Sequence, residues 1–545
     1  MTHTTDVLVV GAGPAGLATA ISALRHGARV LVVERRAGTS GIPRATGMST
    51  RTMEIMRTWG LEEAVRAGSV DCDPLVATGP TLTDPAIRYA RFAFPSVAES
   101  LAVSPTHLAV IPQDHTEPVL AAEVERLGGV IRFGTAVTGL DVTARGVRAV
   151  LARDGERAGT VRARFVVGAD GTRSTVRSAL GIGVHDLGGS GAYAQALFRA
   201  PVHAHLNRRP PAIAFLDHPE ATGVLLPVGS GRWEFAHPYD PARGERPVTD
   251  PARWVHLVRT ATGIPDLPVE LLGTMTFAMT AAVATAFRAG PGFLVGDAAH
   301  RTTPAGATGL NTAIHDGHEL GWKLAWVIRG LAGPALLDSH EAERGPVGRW
   351  NAARSLRRDG PDPADGLEGD LGRTYRSTVI DSAVTGPAVT GPAVIDASAA
   401  APMFRTDRAA RPGERAPHVW LGPATSLLDV LADRLTLVTG PGAAGWARAV
   451  ARRERRALAW ARTTAALLPA VVAAPPSARL RFLPTDDGDR VASAYRLARG
   501  SAVLVRPDGI VAWRHDGPCA DHDATLALAL DTALGWVGEP AAAAG

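Results

Sequence analysis

Two rhythms of apolar positions alternate through the first part of the chain. Val7 to Val10, Arg29 to Val33, Val161 to Val167 and Phe293 to Gly296 are short apolar runs, the length of strands buried on both faces. Between them, Ala15 to His26, Arg51 to Trp59, Thr116 to Leu127 and Asn311 to Gly330 carry apolar residues at helical spacing. Strands alternating with helices predict a parallel sheet covered by helices. From Gly181 to Arg288 the texture changes. Alternating runs (Tyr193 to Phe198, Ile213 to Leu216, Gly223 to Pro227, Trp233 to His237, Gly273 to Thr280) are separated by proline and glycine turns. This predicts an antiparallel sheet inserted into the α/β unit.

Beyond Asp359 the pattern loosens, and a short tandem repeat begins at Ala383 (Ala-Val-Thr-Gly-Pro-Ala-Val-Thr-Gly-Pro). Two copies are too few for a solenoid and read as a surface connection. After Arg411 to Pro417 a third unit follows, with strands expected at Leu435 to Val438, Val491 to Tyr495 and Val503 to Arg506. The last turns through Pro507, Asp508 and Gly509 into Ile510 to Arg514, and a helix from Asp523 to Leu534 closes the unit. Strands flanked by helices over this length suggest a thioredoxin-like fold. It lacks a Cys-x-x-Cys pair, so thioredoxin-type dithiol chemistry is excluded.

Composition narrows the class. A chain of 545 residues is too long for one core. Its 46% hydrophobic and 20% charged content is that of an ordinary globular enzyme. Cys72 and Cys519 are too few and too far apart for a disulfide framework or a metal cluster. A net charge of +4 and a pI of about 9.5 could point to nucleic acid, but Lys323 is the only lysine and the arginines are scattered. No nucleic-acid partner is expected. No apolar run approaches the ~18 residues of a membrane span, and no leader pattern precedes the first strand. A cytoplasmic enzyme without membrane partners is expected, and self-association is left open.

The chemistry lies in two distant segments. Gly11-x-Gly13-Pro14-Ala15-Gly16 follows the first strand and opens the first helix, and Glu34 ends the second strand. Glycines there permit a tight turn, a pyrophosphate approach and close helix packing, while the acid suits ribose hydroxyls. Gly296-Asp297-Ala298-Ala299-His300, followed by Pro304-x-Gly306-x-x-Gly309-Leu310-Asn311, supplies a second carboxylate and a second glycine-led helix start. Together they point to a long, two-ended dinucleotide: FAD, and redox chemistry.

With Asp170-Gly171 and Ser174 to Arg177 between them, these segments resemble the three signatures of the class A flavoprotein aromatic hydroxylases, typified by para-hydroxybenzoate and phenol hydroxylases. The C-terminal extension resembles the branch acting on bulky polyketides and antibiotics. The resemblance implies a Rossmann-like FAD-binding domain (1–75, 101–180 and 285–358) and an inserted antiparallel-sheet substrate domain (76–100 and 181–284). A linker (359–410) and a C-terminal thioredoxin-like domain (411–545) would follow. By resemblance, Glu34 would accept from the adenosine ribose with Arg35 beside the adenine, and Arg44 would cross the pyrophosphate. Gln113 would meet the ribityl and phosphate region, and Val137 would lend backbone to the adenine pocket. Asp170 would belong to the second signature, its alternative being a turn former. Asp297 would accept from the ribityl chain, and the helix start at Leu310 would face the flavin pyrimidine carbonyl. One departure stands out: the family has paired glycines after the proline, and here the second is Ala307.

The implied activity is monooxygenation of a bulky aromatic substrate, with NAD(P)H and O2 as co-substrates and oxygen passing through a peroxide adduct at flavin C4a. Phe198, Phe215, Leu225, Trp233, Met275 and Met279 are candidates for the substrate wall, each open to the alternative of ordinary core. His237 and Tyr239 could polarise a phenol or quinone, although neither is expected to be an essential base. Rival readings are Baeyer–Villiger or rearranging oxygen insertion, a flavin reductase or dehydrogenase without oxygen transfer, and a non-catalytic flavin-binding protein.

Overall fold

A computed structural model describes residues 2–91, 95–357, 365–381, 409–467 and 480–536. The strand Thr2–Val10 lies at the heart of an eight-stranded sheet. It runs parallel to Val30–Val33 on one side and to Glu156–Gly168 on the other, and the latter runs parallel to Gly292–Leu294. Because both faces are covered, the strands are continuously apolar: Val7, Leu8 and Val9 are all fully buried. The helices Pro14–Arg25 and Gly309–Ile328 pack closely on one face. Gly317 and Gly321 make this possible, since a Cβ on either would stand 2.5 Å from an atom of the first helix.

The second sheet also has eight strands, in the order His300–Arg301, Glu270–Ala284, Val184–Arg199, Arg232–Tyr239, Gly223–Pro227, Pro211–Leu216, Asp73–Gly79, Arg88–Arg91. Its neighbours are antiparallel except Pro211–Leu216 beside Asp73–Gly79. One face is backed by the helix Pro251–Thr262, whose Trp254, Leu257, Val258 and Ala261 join Ala194, Ala196, Phe198, Trp233 and Phe235 in a closed core. At one edge, Val283 pairs with His300, so the sheet is joined directly to the chain just after Asp297.

The C-terminal sheet has the order Leu480–Pro484, Leu435–Thr439, Ala502–Val505, Val511–His515, with the first pair parallel and the others antiparallel. Order and directions agree with the expected thioredoxin-like unit, and the hairpin through Asp508 forms. One sequence expectation is corrected. Val491 to Tyr495 is not a strand: Arg490–Ala494 is a helix, started by the Asp489 side chain, which accepts from the Val491 amide at 2.6 Å. The segment taken as a linker also holds structure in its described part, the helix Asp365–Leu371 and a bridge from Thr374 to Glu414. The tandem repeat at Ala383 lies outside the described residues.

The third unit does not hang from a tether. Leu435, Leu437, Trp446 and Leu504 belong to the same hydrophobic core as Val7, Leu17 and Trp322. Beside that core lies a fully buried ionic cluster, in which Arg506 donates to Glu343 at 2.7 and 2.9 Å and Lys323 donates to Glu343 at 2.8 Å. Among the described residues, no helix is long and apolar enough to cross a membrane.

Candidate functional site

The first strand delivers the chain into Gly11, at φ +107°, where a Cβ would lie 2.3 Å from the carbonyl oxygen of Ala169. Gly16 sits so close that its Cβ would stand 1.9 Å from the Gly11 carbonyl oxygen. Gly13 differs, with nothing within 4 Å of the place a Cβ would occupy. Two glycines therefore permit contact within the fold, while the third leaves an open approach. The helix behind them starts at Pro14 with Gly13 as its N-cap, and no side chain caps it. Its amide end is a ready anion site. Ala15, in its first turn, is buried.

Glu34 closes the second strand beside this loop. Its two oxygens accept from the Ala12 and Arg36 amides, both at 2.9 Å, so the carboxylate is oriented by backbone. The Thr135 amide donates to the Glu34 carbonyl at 2.8 Å and the Gly134 amide to the Arg36 carbonyl at 2.7 Å. That brings the strand Thr135–Thr143 alongside, where Val137 is buried in the core and Arg35 is exposed.

The third segment reaches the same loop from the other side. Gly296, at φ +59°, has no room for a side chain, since a Cβ would fall 2.8 Å from the Cβ of Ala15. Its amide donates to Asp316 at 3.0 Å, and Asp316 also engages His300 Nε2 at 2.5 Å and Arg344 Nε at 2.7 Å. Burial works against that charge, but His300 and Arg344 outweigh it, and Asp316 stays well below the usual carboxylate range. Asp297 itself is accessible to solvent between buried neighbours. Protein crowding water from its carboxyl pushes it above the usual range, against the opposing pull of His300, Arg301 and Arg44.

The helix Gly309–Ile328 begins at the far end without a side-chain cap, and the buried Thr308 hydroxyl at its start has no partner. Leu310 is buried. Asn311 fastens this helix start. It donates to the Gly47 and Ala307 carbonyls, both at 2.9 Å, and accepts from the Ser49 amide at 2.9 Å and Thr52 Oγ1 at 2.6 Å. Pro304 opens the preceding turn, its carbonyl accepting from the Ala307 amide at 3.0 Å, and Ala307 sits at φ +50°.

Arg44 lies between these parts. Burial and the nearby Arg36 lower its pKa, while Glu117, Asp297 and Glu34 raise it, so it is within electrostatic reach of both distant segments. Gln113 fixes its loop from behind: the Gln113 amide donates to the Ala45 carbonyl at 2.8 Å, its side chain to Glu117 at 2.6 Å, and Glu117 accepts from the Ser40 amide at 2.6 Å. Asp170 holds its own turn. Its oxygens accept from Ser174 Oγ at 2.5 Å and from the Thr175 and Val176 amides at 2.7 and 3.2 Å. Arg177, in turn, reaches the Ala298 carbonyl at 2.9 Å and so links the second segment to the third.

These residues fit a dinucleotide flavin. Two uncapped helix ends, an open glycine edge, an exposed acid, an arginine in electrostatic reach of both distant segments and an unpartnered buried hydroxyl are brought together by the packing of Gly296 against Ala15 and Ala313. Glu34, Arg44 and Asp297 would hold the flavin's polar groups.

The half-open face of the inserted sheet is tied to the Gln113–Arg126 helix. Arg232 on that face donates to Asp114 at 2.6 Å, the residue next to Gln113. Strand register puts Tyr193, Gln195 and Leu197 on the same face as Arg232 and Glu234, with Met275, Phe277, Val224, Leu226 and Phe215 beside them. Tyr193 stacks on Phe277 with centroids 5.6 Å apart. Met279 follows the same alternation.

Three wall candidates are corrected. Phe198, Leu225 and Trp233 point the other way and fill the core against the Pro251–Thr262 helix. His237 and Tyr239 share that parity, with His237 Nδ1 held 2.8 Å from the Thr222 carbonyl and Tyr239 packed against the same core. Apolar identity could not separate the faces. The signal missed was the alternation of alanine (192, 194, 196) with Tyr193, Gln195 and Leu197.

Comparison with known proteins accords with this geometry. A family model described as an FAD binding domain matches residues 4–355, and one described as the C-terminal part of aromatic-ring hydroxylases matches 409–540. Aklavinone 12-hydroxylase RdmE of Streptomyces purpurascens is 36% identical over 96% of this chain and 98% of its own. The tetracenomycin B2 monooxygenase-dioxygenase of Streptomyces olivaceus is 37% identical over 95% and 97%. The crystal structure of aklavinone-11 hydroxylase with FAD and aklavinone superposes with a TM-score of 0.83 at 34% identity, covering 98% of this chain and 99% of that one.

Proposed function

Because the chain belongs to the FAD-dependent aromatic-ring hydroxylases, we propose that it hydroxylates a bulky, polycyclic aromatic substrate of the polyketide type, consuming NAD(P)H and O2. FAD, when bound, supplies the electron transfer and the activation of oxygen. The protein's own residues bind, orient and shield. The Pro14–Arg25 helix end offers its amides to phosphate, with Arg44 alongside as a guanidinium fork suited to paired oxygens. The uncapped Gly309–Ile328 helix end would offer a positive dipole to negative charge on the bound cofactor.

One observation carries the substrate class. The half-open face of the inserted sheet is broad and mostly apolar, bears a stacked Tyr193–Phe277 pair, and joins the chain beside Asp297 through the Val283–His300 pairing. A planar ring system laid on that face would bury its own faces against apolar side chains and exclude water there. The matched relatives are named for aklavinone and tetracenomycin B2, and one is solved with FAD and aklavinone, which supports the reading.

The test is oxygen transfer. The purified yellow protein, screened against aromatic polyketides, should consume NADPH faster with a substrate present and place one atom of labelled O2 in the product. Product NMR separates ring hydroxylation from insertion into a carbon–carbon bond. NADPH oxidation without label in any product would overturn the proposal in favour of a reductase.

A further inference from the structure

The sheet face proposed to hold the substrate carries one amide in an apolar setting. Gln195 is half-buried, paired across the sheet with Met275 on one side and Ala236 on the other. Next to Ala236, on the same strand and face, lies Glu234, only 4% exposed. Gln195 lies close enough to favour the ionised form of its carboxyl, yet Glu234 Oε1 has no hydrogen-bond partner and no contact with solvent. Asp114 Oδ1 is equally shielded and equally without a partner, while Asp114 Oδ2 is taken by Arg232 at 2.6 Å. Such groups are costly to bury, and a folded protein retains them where something else is gained.

We propose that Gln195 is the hydrogen-bonding contact for an oxygen substituent of the polycyclic substrate, and that Glu234, behind it, fixes the orientation of its amide. This rests on the proposed substrate class. A side-chain amide offers a donor at one end and an acceptor at the other, so an unrestrained glutamine recognises neither kind of oxygen well. Glu234 occupies one end of the amide and leaves the other for the ligand. Burial and the charge of Asp114 push Glu234 up to about 8, opposed by Gln195 and Arg232, so near neutral pH it is a neutral acid. A neutral partner can hold the amide without placing a full charge beneath an aromatic ring. The groups facing Glu234 are Gln195 from the neighbouring strand, Arg232 from its own, and Asp114 from the Gln113–Arg126 helix. A site that spends a buried polar pair on one substituent discriminates strongly against ligands lacking it.

The FAD-loaded enzyme is titrated with emodin, a hydroxylated anthraquinone, and with anthracene, the same ring frame without oxygen, by flavin and tryptophan fluorescence. Gln195→Leu is expected to weaken emodin binding about tenfold and to leave anthracene unchanged. Glu234→Leu should cost emodin about the same, Glu234→Gln should restore binding to within about threefold, and the double leucine variant should lose no more than either single one. If Gln195→Leu fails to retain FAD, Gln195→Met serves in its place with the same expectation. Emodin binding left within about twofold by the Gln195 variant overturns this inference alone, as does equal loss of both probes. Additive losses in the double variant overturn the positioning role of Glu234. An unaltered enzyme that binds neither ring system overturns the polycyclic-substrate reading itself, and this inference with it.

Discussion

The Cβ that Gly296 lacks would fall 2.8 Å from the Cβ of Ala15. That contact seats the segment carrying Asp297 against the first turn of the glycine-loop helix, and it brings the two helix ends together. Gly296 also holds φ +59°, where a side chain is strained even with room to spare. Gly296→Ala should therefore part the two ends and weaken FAD binding at least about tenfold, since ångström-scale misplacement is enough for such losses. Flavin retained through gel filtration, compared with unaltered protein, checks this.

Glu234 should leave a mark on stability as well as on binding. Its folded-state value of about 8 lies above that of an unfolded glutamate, so the folded protein holds a proton there that the unfolded chain has released. Its contribution is complete at acid pH and declines between about pH 4.5 and pH 8, by an amount on the order of a few kcal/mol. Glu234→Gln should flatten that part of the stability–pH curve in denaturant titrations. An unchanged slope would place the proton elsewhere.

Arg506 has no solvent contact and bridges Glu343 and Asp508 across the junction with the third unit. Removing the cation while its acids stay buried is far costlier than the pair is worth in place. Arg506→Met should destabilise the protein by about 3–5 kcal/mol. It should also lower the melting of the flavin-binding part together with the C-terminal part, because the two share a core. Separate melting transitions, one of them unshifted, would show that the units are independent.

Ala307, at φ +50°, occupies a left-handed conformation that a Cβ disfavours by about 1 kcal/mol. Ala307→Gly should stabilise the holoenzyme by about 0.5 kcal/mol after the extra freedom of glycine in the unfolded chain is counted. A small upward shift in melting temperature, with FAD affinity preserved, is the expected result.

Much of the architecture was legible because local rules and global fold agree. Val7 to Val10 could only be a doubly buried strand, and the glycines after it have positions whose need for glycine is steric: Gly11 against Ala169, Gly16 against Gly11. Where the reading failed, local pattern was ambiguous. Val491 to Tyr495 alternates like a strand, but Asp489 offers its side chain to the Val491 amide and starts a helix instead.

The order of residues along the chain determined which elements form, which glycines are obligatory and which acids end the strands, because these depend on neighbours within a few positions. It could not say which face of the inserted sheet is sealed and which is left half-open. Phe198 and Leu197 are adjacent and both apolar, yet one is sealed under the Pro251–Thr262 helix and the other lies on the half-open face. Strand alternation supplies two equivalent faces, and only the docking of a distant helix on one of them, with Arg232 reaching Asp114 on the other, breaks that symmetry.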